Sequence, residues 1–173
     1  MKGRLVLSQP WRRPPLRLRG IGPEDLEDLR SWKNAHREAF FFKDSITPEA
    51  QRKWYEGYLE RPNDCMFIVE SGPLRAGCMA FRLEHDGAAD FYNIIGSPEG
   101  RGQGLLKGGM MVLCSYVLVE RSRRISLKVV SGNAARGFYE SCGFERAEER
   151  ETYVLMRLRA EFRSVRYEKE EAA

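Results

Sequence analysis

The segment Pro98-Glu-Gly-Arg-Gly-Gln-Gly-Leu-Leu, residues 98–106, is a glycine-rich turn between a predicted strand and an apolar predicted helix near 104–119. Glycine lets such a turn approach a ligand closely, because no Cβ stands in the way. The first N–H groups of the following helix lack partners within the helix and can bind an anion such as phosphate. Arg101 adds a donor. The segment therefore predicts a phosphate-binding loop, with an ordinary tight turn as the alternative.

Two nucleotide-binding patterns do not fit this segment. It lacks the Gly-Lys-Ser/Thr ending of a P-loop. A dinucleotide fingerprint requires a parallel strand-helix-strand unit, whereas the three strands before the loop are joined by short turns typical of antiparallel hairpins.

The second informative segment is Asn133-Ala-Ala-Arg-Gly-Phe-Tyr-Glu-Ser-Cys-Gly-Phe, residues 133–144. It follows an alternating strand at 125–129 and predicts a short helix. Asn133 is the predicted cap, and Gly143 stands at the usual position after a helix. Taken alone, the segment is typical of a capped amphipathic helix with a core aromatic residue.

The remaining elements predict a mixed α and β fold. The predicted order is one strand, two helices, three strands, a helix, a strand, a helix and two strands. Thr47 is the predicted cap of the second helix, because Pro48 then occupies its first position. The predicted strands lie at 16–20, 66–70, 77–83, 90–95, 125–129, 144–148 and 152–158. This order indicates the α+β class, with a mostly antiparallel twisted sheet and about four helices.

Composition limits the possible chemistry. The chain has 173 residues, 42% of them hydrophobic, which is enough for one domain with a core. Its two histidines exclude a zinc site built on several histidines. Four separated cysteines without a Cys-x-x-Cys pair indicate a reducing compartment, so we expect a cytoplasmic protein without a metal. The sequence has no apolar run long enough to span a bilayer, and we expect no membrane or nucleic-acid partner.

The charge pattern divides the chain into three parts. The net charge is +4, and the excess is concentrated in a predicted basic N-terminal extension, residues 1–15, and the strand after it. The interpretations are a solvated arm, attraction to a phosphate-bearing ligand or, least favoured, nucleic-acid binding. The predicted central domain covers 16–159, and a predicted charged tail that frays covers 160–173.

Together, the two motifs resemble the GCN5-related N-acetyltransferase (GNAT) superfamily over roughly residues 16–158. The sequence RGQGLL is similar to its pyrophosphate-binding loop, and NAARGFYESCGF is similar to its N-x-x-A/R-x-x-[FY]-Y-x-x-x-GF helix. The chain departs from the family at Leu106, where Gly or Ala is usual, and we expect this side chain to point into the core.

The resemblance implies a fold of the acyl-CoA N-acyltransferase type and acetyl-CoA as the co-substrate. It implies that backbone N–H groups of the loop hold the pyrophosphate, that a splayed strand pairs with the pantetheine arm, and that Asn133 contacts the cofactor. It also implies that Tyr139 lies near the sulfur and protonates the leaving thiolate. The implied cofactor-binding residues are Asn93, Ile94, Ile95, Arg101, Gly102, Gln103, Gly104, Leu105, Leu106 and Asn133.

The reaction requires a base, because an alkylamine with a pKa of about 10.4 is mostly protonated at pH 7. Asp90 is the preferred candidate, because it resembles the position of a catalytic glutamate in some members of the superfamily. The alternatives are Glu70, His85, Asp86 and a water chain. We expect direct attack in a ternary complex rather than a covalent enzyme intermediate.

The acceptor is the least constrained part of the prediction. The sequence around Trp32 and Ile46 is similar to acetyltransferases of nucleotide-linked amino sugars, and the same layout occurs in ribosomal-protein N-acetyltransferases. The residues predicted to contact the acceptor are Asn34, His36, Arg37 and Tyr92. A small-molecule amine, including a nucleotide-linked amino sugar, is the preferred substrate. A protein or peptide N-terminus and a non-enzymatic acetyl-CoA-binding module are the alternatives, and the protein is expected to be a monomer or homodimer.

Overall fold

A nine-stranded sheet forms the centre of the protein in a computed structural model that describes residues 5–171. The strand order is β7-β8-β6-β5-β4-β3-β2-β1-β9, and every neighbouring pair is antiparallel except β5 and β6. The strands are β1 (Leu5–Gln9), β2 (Leu16–Gly20), β3 (Asp64–Ser71), β4 (Leu74–Leu83), β5 (Ala89–Gly96), β6 (Ile125–Val130), β7 (Phe144–Glu149), β8 (Tyr153–Leu158) and β9 (Glu168–Glu171).

Four α-helices of the described chain cover the two faces of this sheet. They are α1 (Leu26–Ala35), α2 (Pro48–Leu59), α3 (Leu105–Glu120) and α4 (Arg136–Ser141), and short 3-10 turns lie at Pro23–Asp25 and Arg37–Ala39. The predicted cap of α2 is confirmed, because the Thr47 hydroxyl accepts a hydrogen bond of 3.2 Å from the Ala50 N–H. The predicted fold class is confirmed.

Alternation along β3 separates two cores. Phe67 and Val69 belong to the larger core, with the apolar side chains of α3, whereas Met66 and Ile68 belong to the smaller core, with α1 and α2. Side chains of successive residues point to opposite faces of a strand, so one strand serves both layers. The sheet is thus buried on both sides, and any pocket must open at an edge or at a break in the strand pairing.

The pairing of β5 is interrupted at Asn93. Ala80 pairs with Tyr92 and Cys78 pairs with Ile95, so β5 carries an extra residue, and Asn93 adopts a positive φ of 48°. On its other side, β5 pairs with β6 only from Ala89 to Phe91, opposite Ile125 to Leu127. Beyond that point the two parallel strands separate, which leaves an opening in the middle of the sheet.

The chain ends differ from the sequence-based division. Strand β1 lies within the predicted extension 1–15, with Leu7 fully buried, and strand β9 lies within the predicted tail 160–173. Because β9 pairs with β1, and Val165 N–H donates to the Ser115 hydroxyl at 2.9 Å, the prediction that the tail frays is wrong for residues 165–171. Residues 1–4 and 172–173 lie outside the described residues.

Two smaller predictions also differ from the structure. Helix α4 begins at Arg136 rather than at Asn133, and Ala135 occupies its cap position. Asn133 instead accepts a hydrogen bond of 2.9 Å from Ala135 N–H, so it orders the turn before the helix. No helix in residues 5–171 has the length and apolar character needed to cross a membrane.

Removing residues 160–173 tests the integrated tail. The truncated chain loses the β1–β9 pairing and the packing of Phe162, Val165 and Tyr167 against the larger core. Three partly buried apolar side chains contribute roughly 1 kcal/mol each, so the free energy of unfolding in urea should fall by about 3 kcal/mol. Replacing the exposed Arg163 with alanine is the control and should change it by less than about 0.5 kcal/mol. An unchanged unfolding midpoint after truncation would show that the tail does not stabilise the sheet.

Candidate active site

A cavity of about 760 Å³ occupies the opening between β5 and β6. Its walls are the two separated strands, the turn before α4, and the connection from α1 to α2. Eight of the predicted site residues line it: His36, Asp90, Tyr92, Asn93, Ile94, Ile95, Asn133 and Tyr139. The volume is within the range usual for small-molecule sites.

The β5 wall offers backbone groups to a ligand. Beyond Phe91, β5 has no strand partner on its β6 side, so the edge from Tyr92 to Gly96 faces the cavity. An extended ligand can pair with such an edge in the manner of an added strand. The extra residue at Asn93 turns the strand locally, as bulges do next to binding sites.

The glycine-rich loop leads into the N-terminus of α3 with backbone conformations that favour glycine. Gly102 and Gly104 have positive φ angles of 75° and 66°. A Cβ on Gly100 would lie 2.7 Å from the Ala76 Cα, so the loop passes too close to β4 for a side chain there. Gln103 fastens the loop by donating its amide to the Glu99 carbonyl at 3.1 Å. The loop is therefore shaped by its glycines and presents backbone groups to solvent.

The first turn of α3 suits an anionic group. Leu105 is fully buried, and Leu106 packs against the larger core, as the sequence predicts. Arg12 lies over this turn, where its Nη2 donates to the Gly104 carbonyl at 3.0 Å. Its Nη1 is buried without a hydrogen-bond partner. That nitrogen is packed against Gly108 and closed to solvent, so Arg12 contributes positive charge near the start of α3 rather than a free donor. Positive charge beside the free N–H groups of a helix start fits a phosphate-bearing ligand such as acetyl-CoA.

The α4 side of the cavity carries Tyr139 and Asn133. Tyr139 is 9% exposed and makes an edge contact with Phe138, with ring centroids 5.4 Å apart. Burial raises the pKa of Tyr139 to about 12, so its hydroxyl stays protonated near neutral pH. Asn133 donates its amide to the Ala39 carbonyl at 3.2 Å. This bond fastens the α1–α2 connection to the α4 side of the cavity.

Among the candidate bases, Asp90 lines the cavity and the others do not. Burial raises the pKa of Asp90, while Lys128 and Arg82 act in the opposite direction. A raised pKa favours proton acceptance near neutral pH. Glu70 is held by Arg17 at 2.6 Å and Arg19 at 3.1 Å, and Asp86 pairs with Arg124 at 3.1 Å. His85 lies in the exposed turn before β5.

The structure places two of the four predicted acceptor contacts at the cavity. His36 and Tyr92 line the cavity, whereas Asn34 and Arg37 do not. The Asn34 side chain exchanges two hydrogen bonds with the backbone of Ile46, at 3.0 and 2.8 Å, and so ties the start of α2 to α1. Arg37 is half-exposed and lies 3.9 Å from Glu38. The Tyr92 hydroxyl donates to Asp64, so only its ring is available to a ligand.

Sequence reasoning missed a second cavity, of about 380 Å³, which adjoins the first. The two share Lys33, Phe42, Asn93 and Ile95 in their walls. Lys33 donates to the Asn93 side chain and lies 3.4 Å from the centre of the Phe40 ring. A signal was present in the sequence, because Lys33 follows Leu26 and Leu29 on the apolar stripe of α1.

Comparisons with known proteins agree with this architecture. The model of the Acetyltransferase (GNAT) family matches residues 29–144. No curated protein sequence matches the chain.

Solved structures share the fold at low sequence identity. A spermidine N-acetyltransferase from Vibrio cholerae, in complex with CoA and spermine, is 20% identical; the similarity covers 82% of this chain and 92% of that one, with a TM-score of 0.69. A chimera of the Vibrio cholerae enzyme and hSSAT is 21% identical over 83% and 94% of the two chains, with a TM-score of 0.68. A domain from Methanocaldococcus jannaschii is 16% identical over 87% and 98%, with a TM-score of 0.71.

None of these three structures is described as an amino-sugar or ribosomal-protein acetyltransferase, so that narrower resemblance has no support here. The family match covers well over half of the chain and spans both motifs, residues 98–106 and 133–144. The chain therefore belongs to the Acetyltransferase (GNAT) family and is an N-acetyltransferase that uses acetyl-CoA as its acetyl donor.

Proposed function

We propose that the protein acetylates the primary amine of a small molecule in the cavity between β5 and β6. The observation that carries this proposal is the junction at Asn93, where the cavity bounded by the separated strands adjoins a second, smaller and mostly apolar cavity. One compartment suits an extended cofactor and the other suits a compact acceptor. The CoA and spermine complex of the Vibrio cholerae relative supports a small amine as the acceptor class.

The cofactor-binding role of the glycine-rich loop is part of the proposal. Backbone N–H groups of Gln103, Gly104, Leu105 and Leu106 would hold the pyrophosphate of acetyl-CoA, helped by Arg101 and by the conformation of Gly102. The positive charge of Arg12, whose Nη2 donates to the Gly104 carbonyl, supports an anion near this point. Asn93, Ile94 and Ile95 would hold the pantetheine arm along the open edge of β5, and Asn133 would contact the cofactor after releasing the Ala39 carbonyl. When bound, acetyl-CoA supplies an acetyl thioester.

Tyr139 is proposed to hold the proton that the departing sulfur requires. Its hydroxyl remains protonated because burial raises the pKa to about 12. A buried hydroxyl that faces the cavity can donate without losing its proton to solvent. The neighbouring Phe138 and Phe144 rings fix its ring plane, with centroids 5.4 and 6.4 Å away.

Asp90 is proposed to receive the proton that leaves the amine. It precedes Asn93 by three residues on β5, about 10 Å at roughly 3.3 Å per residue. We therefore expect water in the cavity to carry the proton from the amine to the carboxylate. His36 and Tyr92 line the same space and would shape the approach of the acceptor.

The activity is tested by incubating the protein with acetyl-CoA and a panel of primary amines while detecting the free thiol of released CoA. The panel contains amino acids, aliphatic amines, polyamines, amino sugars and a peptide with a free N-terminus. At least one small amine should raise thiol release above the level with acetyl-CoA alone, and mass spectrometry should show one added acetyl group. Acetylation of the peptide alone would instead favour the N-terminal acetyltransferase alternative. Binding of acetyl-CoA without any transfer would favour the non-enzymatic alternative.

Replacing Tyr139 with phenylalanine should lower kcat by about 100-fold, because a general acid contributes roughly 10² to 10⁴ to such a rate. The dissociation constant for acetyl-CoA, measured by calorimetry, should change less than about twofold. Tyr116→Phe is the matched control, because Tyr116 is a buried tyrosine of α3 outside both cavities. Equal kcat values for the two variants would remove the role of Tyr139 as an acid.

A further inference from the structure

The walls of the second cavity are mostly apolar and carry one charged side chain, Lys33. Its apolar lining is extensive, and its polar side chains are Lys33, Gln51, Cys78 and Asn93. No carboxylate lines it. The apolar residues are Leu29, Phe42, Ile46, Ala50, Trp54, Met66 and Ile95.

Lys33 is a cation without an acidic partner. Its contacts are the Asn93 side-chain oxygen and the face of the Phe40 ring, both uncharged. No ion pair within residues 5–171 includes it. Desolvation lowers the pKa of Lys33 to about 8, the direction expected of an ammonium group that has lost water without gaining an anion. An anionic group on a ligand would compensate this loss at the junction of the two cavities.

The charge pattern disfavours a polyamine. A second ammonium group on the acceptor would need an acid in the second cavity, and only Lys33 is charged there. Asp90 is the one carboxylate in the lining of either cavity, and it lies on the first cavity with Lys128. An ammonium group of the acceptor that faces Lys33 in a low-dielectric site would be repelled, which weakens binding.

We propose that the acceptor is an α-amino acid with an apolar side chain. Its carboxylate pairs with the Lys33 Nζ, its side chain fills the second cavity, and its amine lies at Asn93 on the side of the first cavity. The amine and the carboxylate of an α-amino acid are attached to the same carbon, so they fit two neighbouring side chains in one wall of the site. Lys33 and Asn93 are such neighbours, because they are hydrogen-bonded to each other. The inference rests on the proposed transfer of an acetyl group to a small amine.

The transfer itself balances with the groups already described. The ammonium group of the acceptor first releases one proton to solvent, so that its nitrogen has a free electron pair. That nitrogen forms the C–N bond to the acetyl carbon as the thioester C–S bond breaks. The surplus proton on nitrogen passes through water to Asp90, and Tyr139 protonates the departing thiolate. Exchange with solvent then removes the proton from Asp90 and returns one to Tyr139. The products are an N-acetyl amino acid and free CoA.

The test compares L-phenylalanine with L-phenylalaninamide, which keeps the amine and ring but replaces the carboxylate with a neutral amide. With the wild-type protein, kcat/KM for L-phenylalanine should be at least about tenfold higher, equivalent to roughly 1.4 kcal/mol. Lys33→Met should remove this preference, whereas Lys33→Arg should keep most of it. Lys53→Met is the control, because Lys53 is exposed on α2 and lies outside both cavities.

Further acceptors test the role of the apolar cavity and two alternative substrate classes, polyamines and amino sugars. Glycine has the carboxylate without the side chain and should react at least tenfold more slowly than L-phenylalanine. Spermidine and glucosamine 6-phosphate should also react more slowly. A higher kcat/KM for either of these, or for the amide, would overturn the inference while leaving the acetyltransferase function intact.

Calorimetry gives a readout that does not depend on turnover. L-phenylalanine should bind the wild-type protein at least about tenfold more tightly than its amide, and Lys33→Met should lose this difference. Thermal unfolding of each variant shows whether it is folded. Equal binding of acid and amide, or no binding of either, would overturn the inference. Absence of acetyl transfer to every amine, with this binding preference intact, would instead contradict the proposed function.

Discussion

The parting of β5 from β6 is the constraint on which the site depends. Two parallel strands that pair only over Ala89–Phe91 leave one edge of β5 without a neighbour in the interior of a sheet that is otherwise paired throughout. An unpaired edge inside a protein needs a partner for its backbone groups. The pairing continues on the β4 side because Asn93 absorbs one extra residue at a positive φ. The β4 side of β5 therefore stays paired beyond the break, and the rest of the sheet keeps the cavity walls in place.

Asn93 joins the two halves of the site. Its backbone forms the bulge, and its side chain accepts a hydrogen bond from Lys33, which lies between the cavities. On the opposite side, Asn133 holds the α1–α2 connection through the Ala39 carbonyl. The connection also reaches β8, where Phe41 contacts Tyr153 with ring centroids 6.2 Å apart. The connection that lines the first cavity is thus held by contacts with residues on the opposite wall.

The sequence predicts much of this arrangement and misses the rest for identifiable reasons. Glycine-rich loops, strand alternation and the Thr47 cap are local signals, and they predict the fold and the cofactor side of the cavity. The β1–β9 pairing depends on residues more than 150 positions apart, and a charged strand such as Glu168–Glu171 gives no apolar pattern to detect. Asn34 resembles an acceptor contact in sequence, yet its side chain ties Ile46 to α1. The role of Lys33 cannot be predicted from the sequence alone, because its environment is formed by α1, β4 and β5 together.

A crystal structure of the protein with CoA tests the central claim most directly. The account predicts the pyrophosphate at the N–H groups of residues 103–106, the pantetheine arm along β5 beside Asn93, and the sulfur near the Tyr139 hydroxyl. It also predicts that the bond between Asn133 and Ala39 is broken in that complex. CoA bound elsewhere, with the opening between β5 and β6 free of it, would contradict the account.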